Sequence, residues 1–248
     1  MNRQIPWLRT LVEGVVIVGS ILLAFGVQAW WDGRQERTEE DRLLVSVLDD
    51  MRANRQEIER KSAYHTAALA SERRILSLAG TPPDRFSLAL ADSLIGDVLW
   101  WKGSQGWQTG GLDALTGGGR LEAISRKELR GALLGWSRVL DDVRAMEDQE
   151  NEFFDNALMP HLRDGAWVPQ LAESSRVEPG SDAEVIPGYG EMNWAPERRD
   201  HRPLLVESSF QNLMVQKLWI QVDILTAFRN FAIEIDSLIH TLEAEIGR

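Results

Sequence analysis

Gly14-Val15-Val16-Ile17-Val18-Gly19-Ser20-Ile21-Leu22-Leu23-Ala24-Phe25-Gly26-Val27-Gln28-Ala29-Trp30-Trp31 is a run without one formal charge. Rich in Val, Ile and Leu, it has about the length an α-helix needs to cross the hydrocarbon core of a bilayer. Trp7 precedes the run and Trp30 and Trp31 close it. On a helix rising about 1.5 Å per residue these indoles lie roughly 35 Å apart, the spacing of the two membrane interfaces. Pro6 stands just before the helix, where its fixed φ and missing donor do least harm. The expected division is a short tail at 1–10, a membrane helix at 11–31 and an extramembrane domain at 32–248. A cleaved signal peptide is the competing reading, because Arg3 and Arg9 precede the run and Val27-Gln28-Ala29 resembles a cleavage site. The length of the run and the bulk of Trp30 and Trp31 weigh against it.

Basic residues choose an orientation only weakly, since Arg3 and Arg9 on one side face Arg34, Arg37 and Arg42 on the other. A short basic tail before a large domain favours a bacterial inner-membrane anchor with the domain in the periplasm. Within the span, Glu13, Ser20, Ala24 and Gln28 recur at helical spacing with Gly19 beside them. Small and polar side chains on one stripe allow close helix approach and interhelical hydrogen bonds. The alternative is that Glu13 and Gln28 merely reach the two interfaces.

The whole chain of 248 residues carries a formal charge of −11, and residues 1–31 contribute +1, so the domain holds −12. Such a surface repels phosphate backbones and anionic headgroups, which argues against nucleic acid and against a broad electrostatic contact with lipid. No cysteine is present, which excludes disulfides, thiolate metal sites and thiol catalysis.

Beyond the span, apolar residues at helical spacing predict a long charged helix to about Ala79, ended by Gly80-Thr81-Pro82-Pro83. A second helix is expected over Ser87 to Trp101, with a loop rich in Gly after it. A third is expected to start at the capping-box pattern Ser125 to Glu128, carry Leu129, Leu133, Trp136, Leu140 and Val143, and end between Pro160 and Gly165. Residues 166–203, with scattered Pro and Gly, read as an extended loop. The last helix, about Pro203 to Ile246, has an apolar stripe interrupted only by Lys217. These patterns predict an all-α protein: a membrane helix followed by an antiparallel bundle of three long helices, shorter helices and one long loop.

The chemistry-bearing residues form no recognisable catalytic constellation. His65, His161, His201 and His240 make no HExxH or Glu-x-x-His motif, and His65 fits a buried, hydrogen-bonded position. Gly117-Gly118-Gly119-Arg120 lacks the Gly-Lys-Ser/Thr ending of a phosphate loop and reads as a turn. Asp141, Asp142, Glu147, Asp148, Glu150 and Glu152 read as a solvated helix face. No cofactor or metal is expected, and no enzymatic activity. Trp100, Trp101 and Trp107 either plug the bundle or dock on a partner, and Tyr189 and Trp194 pose the same choice.

Val12-Glu13-Gly14 through Ala24 to Trp30-Trp31, Leu43-Leu44, and Leu48-Asp49-Asp50-Met51-Arg52-Ala53-Asn54 resemble a family of bacterial single-pass membrane proteins of unknown function. Leu112 to Ser125 is similar to that family's interior motif. The resemblance implies an anchored helical domain and carries no catalytic residues. The expected role is a non-catalytic accessory or structural subunit docking on an integral membrane protein complex, with the lipid bilayer as a further contact and homo-oligomers allowed. An extracytoplasmic sensing module acting through a partner is the second reading, and an enzyme with an unrecognised site the third.

Overall fold

The computed structural model describes residues 7–99, 106–117, 119–174 and 198–246. All regular structure among them is helical. Helix α1 (Trp7–Ser77) is followed by α2 (Leu88–Leu99), α3 (Gly110–Gly117), α4 (Lys127–Phe153), α5 (Met159–Gly165), α6 (Val168–Ser174), α7 (Arg202–Val206) and α8 (Ser208–Ile246). One turn of 3₁₀ helix precedes α2, another precedes α4, and a π turn at Phe154–Leu158 joins α4 to α5.

Helix α1 is 71 residues long, which is about 105 Å at helical rise. Its first part is exposed along the whole apolar run, and none of the other described residues covers its apolar window. It is long and apolar enough to cross a membrane. The helix passes through Gly33 without a break, and burial begins at Leu43, Leu44, Val47 and Met51. The same element is thus a naked apolar rod at one end and a core helix at the other. It stops at Ser77, after which Gly80 takes a left-handed φ of 74° and Pro82 and Pro83 bar continuation.

Ion pairs and ring contacts fix the directions of the long helices. Arg52 meets Glu243 at 2.7 Å, Arg55 meets Asp236 at 2.8 Å, and Gln211 donates to the Ile75 carbonyl, so α8 runs opposite to α1. Arg126 reaches Glu245 at 3.3 Å and Trp136 stacks on Phe231, so α8 also opposes α4. Helices α1 and α4 therefore point the same way. The exposed ion pairs contribute little by themselves. Most of the stabilisation comes from two apolar clusters. One, nearer the apolar rod, gathers Met51, Ile58, Leu133, Trp136, Phe228 and Phe231. The other, at the far end, gathers Ile75, Leu94, Ile95, Leu158, Phe210 and Met214.

Four local expectations are corrected. The Gly-rich stretch contains a helix, α3, docked tightly on α1. Asn54 holds the Gln108 backbone through two hydrogen bonds of 2.6 and 2.8 Å, and Asp50 accepts the Gly111 N–H at 2.6 Å. A Cβ on Gly111 would meet the Ser46 backbone at 2.7 Å, so glycine is required there. The pattern at Ser125 to Glu128 does not close as a capping box. Arg126 is the N-cap, and the Ser125 amide and hydroxyl both donate to Glu40 on α1. The segment expected as a loop from residue 166 begins with helix α6, and the expected final helix breaks at Glu207 into α7 and α8.

Candidate functional site

Between the two apolar clusters lies a layer of buried charge. Helix α1 contributes Lys61, His65 and Glu72, helix α4 contributes Glu147 and Glu150, and helix α8 contributes Lys217 and Gln221. Each sits on the register that elsewhere in its helix holds core residues. His65, Glu72, Glu147 and Gln221 are wholly inaccessible, and so is Lys61, among the largest fully buried side chains.

The layer has two connected halves. In the first, Lys61 donates to Glu147 Oε1 at 2.5 Å, the Trp107 indole N–H donates to Glu147 Oε2 at 2.9 Å, and the ammonium lies 4.4 Å from the Trp107 ring centroid. The face of the indole thus supports the cation while its edge supports the anion. In the second half, Lys217 donates to Glu150 Oε1 at 2.9 Å and stands 3.5 Å from Glu72. Gln221 donates to the same Glu150 oxygen at 2.6 Å and contacts His65 Nδ1 at 2.5 Å through its own oxygen, which makes Nδ1 the protonated nitrogen.

Two ammonium groups thus face three fully buried carboxyls, with Glu57 at the edge of the layer 3.9 Å from Lys61, and Glu72 is the buried carboxyl without a close ammonium of its own. Burial pushes the Glu72 carboxyl up to about 7, with Lys217 pulling the other way and Glu150 adding repulsion. Burial also raises Glu147 against the pull of Lys61. His65 is lowered by burial and stays neutral at pH 7, although Glu150 works against this. Burial would lower Lys217, but Glu150 and Glu72 outweigh it and hold the ammonium raised. Tyr64, beside the layer, is raised by burial and by Glu150.

A second buried polar group closes the far end. Asp92 on α2 pairs with His201 Nδ1 at 2.7 Å and accepts from Gln170 at 2.7 Å. His201 Nε2 accepts the Trp167 backbone N–H at 2.9 Å. With one ring nitrogen on the carboxylate and the other capped by an amide, the imidazole has no nitrogen left for a substrate proton. This Asp-His pair pins the chain at His201 to α2, and Gln170 of α6 holds the Arg199 backbone through two further hydrogen bonds.

The residues singled out in the sequence fall in several places. Glu13, Gly19, Ser20, Ala24 and Gln28 are exposed on α1, and Ser20, Ala24 and Gln28 line a shallow open groove with Leu23, Val27 and Trp31. The Ser20 hydroxyl donates back to the Val16 carbonyl at 2.7 Å. Trp30 and Trp31 are exposed, with the Arg34 guanidinium 5.8 Å over the Trp30 ring, and Trp7 begins α1. Trp107, considered for partner contact, is instead buried against Phe228 and Phe231. Trp100, Trp101, Tyr189 and Trp194 lie outside the described residues. His65 occupies the buried, hydrogen-bonded position expected of it. The reading of 141–152 as one solvated face is corrected at Glu147 and Glu150, which point inward.

Sequence reasoning passed over Lys61, Glu72, Glu147 and Glu150 as components of one site. The signal was there: Glu147 and Glu150 continue the stripe of Leu140 and Val143, just as Lys217 interrupts that of α8. Among the described residues no group of three or more His, Asp and Glu side chains is arranged to hold a metal ion. Comparison of the chain with protein-family models, with curated proteins and with solved structures finds no match.

Proposed function

We propose that this protein is a membrane-anchored, non-catalytic accessory subunit that docks on a larger integral membrane protein complex. The anchor would be residues 11–31, the surrounding medium the bacterial inner membrane, and the helical domain would stand in the periplasm as an antiparallel bundle. The resemblance to bacterial single-pass membrane proteins agrees with this reading. The observation that carries it is the bare face of α1: Ser20, Ala24 and Gln28 line an open groove within a span that none of the other described residues covers. A polar amide and small side chains facing lipid lose contacts that a second membrane helix would restore.

Mild-detergent purification of the full-length chain from its native membrane, with mass spectrometry of what accompanies it, tests the proposal. A discrete complex of fixed stoichiometry is expected, and Ala24→Phe should deplete it without unfolding the domain. Recovery of the chain alone, as a monomer or as copies of itself, would overturn the reading.

A sensing role acting through a partner is the second reading, and one observation favours it. Helix α1 runs without interruption from the charged layer at Lys61 to Trp31 at the end of the span, about 45 Å along one rod. A rearrangement in that layer would displace the membrane segment directly. Ligand-dependent thermal stabilisation of the chain would support this second reading.

A further inference from the structure

Among the described residues beyond Trp31, six large apolar side chains are exposed, and four of them share one helix: Val215, Trp219, Val222 and Ile233 of α8. With Thr226 and Asn230 they follow one another at intervals of four, three, four, four and three. At 100° per residue these spacings keep all six on a single stripe, the seam that pairs two helices in a coiled coil. Trp219, near one end of the stripe, is 67% exposed, and Ile233, at the other, 62%. Not one of the six is charged, although the chain as a whole carries −11.

We infer that this stripe is the contact between two copies of the chain, with α8 packed in parallel on α8 of its partner. Three observations select a second copy. Bilayer is ruled out by distance: Gln221, at the level of Trp219, contacts His65, 34 residues beyond Trp31 on α1, or about 50 Å along the helix. A partner chosen to complement this surface by charge would meet acidic residues, whereas an uncharged seam is what two equally acidic bodies need to approach. Asn230 interrupts the apolar line with an amide that can both donate to and accept from its own counterpart, as polar seam residues do in paired helices, while Thr226, whose hydroxyl donates to the Val222 carbonyl at 2.8 Å, adds no unpaired donor to the seam. A shared membrane allows only one relative direction. Two anchored copies related by a two-fold axis must place that axis along the membrane normal, so equivalent residues of α8 face each other.

The inference rests on the membrane anchor proposed for residues 11–31 and is independent of docking on a larger complex. The native sequence has no cysteine, so a single introduced thiol reports one contact. Thr226→Cys in the full-length chain, oxidised in native membranes, should give a disulfide dimer of twice the 28.0 kDa chain mass. Asp148→Cys, exposed on α4, should give none. Adding Trp219→Glu to Thr226→Cys should remove most of the dimer while leaving helix content unchanged by circular dichroism. An absent dimer, an equal yield from Asp148→Cys, a yield unaffected by Trp219→Glu, or an adduct with a protein of another mass would each overturn it. A homodimer recovered with no other protein would uphold this inference while sinking the accessory-subunit reading.

Discussion

The apolar cluster around Phe231 and the charged layer around Lys217 are built by the same three helices, α1, α4 and α8, and are buried to the same degree. They differ in what burial costs. Phe231 stacks on Trp136 with centroids 4.9 Å apart and meets Trp107 edge-on at 5.2 Å, so every contact it makes adds to its transfer from water. Lys217 and Glu150 each give up hydration first, and their 2.9 Å contact returns only part of it. The first region therefore supplies stability. The second spends stability on specificity, because a buried charge tolerates only the register that presents its counter-charge.

The largest effect expected from this contrast is at Lys217. Lys217→Met leaves Glu150 and Glu72 buried with no ammonium beside them and should cost about 3–5 kcal/mol, read as the loss in free energy of chemical unfolding in mild detergent. Phe231→Ala removes apolar contact and leaves a cavity, and should cost about 3–4 kcal/mol by the same measurement. The two can be told apart by salt and pH. The Phe231 loss should be independent of pH, whereas the Lys217 loss should shrink in acid as the stranded carboxyls take up protons. Equal pH dependence would remove the distinction between the two regions.

The fold was legible where chemistry and period agree. The apolar run, the stripes of α4 and α8 and the stop at Gly80 to Pro83 all follow from local residue choice. The charged layer was not legible, because a Lys or Glu on a helix is ordinarily solvated and the sequence does not say which face is in. Lys217 stood out against its apolar neighbours. Lys61 did not, because the segment before it is crowded with charge, and only the structure shows it opposite Glu147. Helix α3 was hidden by its own glycines, one of which is needed for the close approach of Gly111 to Ser46.

Glu72 gives the comparison a pH axis. Its carboxyl is raised from 4.5 to about 7 in the folded chain, so the native state binds the proton more tightly than the unfolded state. Stability therefore falls as pH rises from about 4.5 through about 7, by roughly 3 kcal/mol in all. His65 has the opposite sign, since a lowered imidazole loses stability as pH drops below 6.5. Above that point Glu72 acts without opposition from His65. From about pH 6.5 to about pH 8 the wild type should lose about 1 kcal/mol through this carboxyl. Glu72→Gln, which keeps the shape of the neutral acid, should remove that loss and be the more stable protein by about 1–3 kcal/mol at the upper pH. A Glu72→Gln chain that retains the wild-type slope would place the titration elsewhere.

The smallest expected effect is the most discriminating. Lys61→Met alone strands Glu147, and Glu147→Gln alone leaves Lys61 with the Glu57 carboxylate at 3.9 Å as a more distant counter-charge, so each should cost about 3 kcal/mol. The double variant removes both charges together, and the amide put in place of the Glu147 carboxylate still offers an oxygen to the Trp107 indole N–H that Glu147 now accepts. Its net cost should be about 1 kcal/mol, which makes the coupling between the two positions several times larger than the stability the pair confers. That inequality is what separates a specificity device from a stabilising one. In the apolar cluster, truncating two neighbours enlarges one cavity, and the losses accumulate. In the charged layer, removing the second partner should recover most of what removing the first one cost. If the double variant instead loses as much as the two single variants combined, the Lys61-Glu147 pair is a net source of stability, and the two regions differ in composition only.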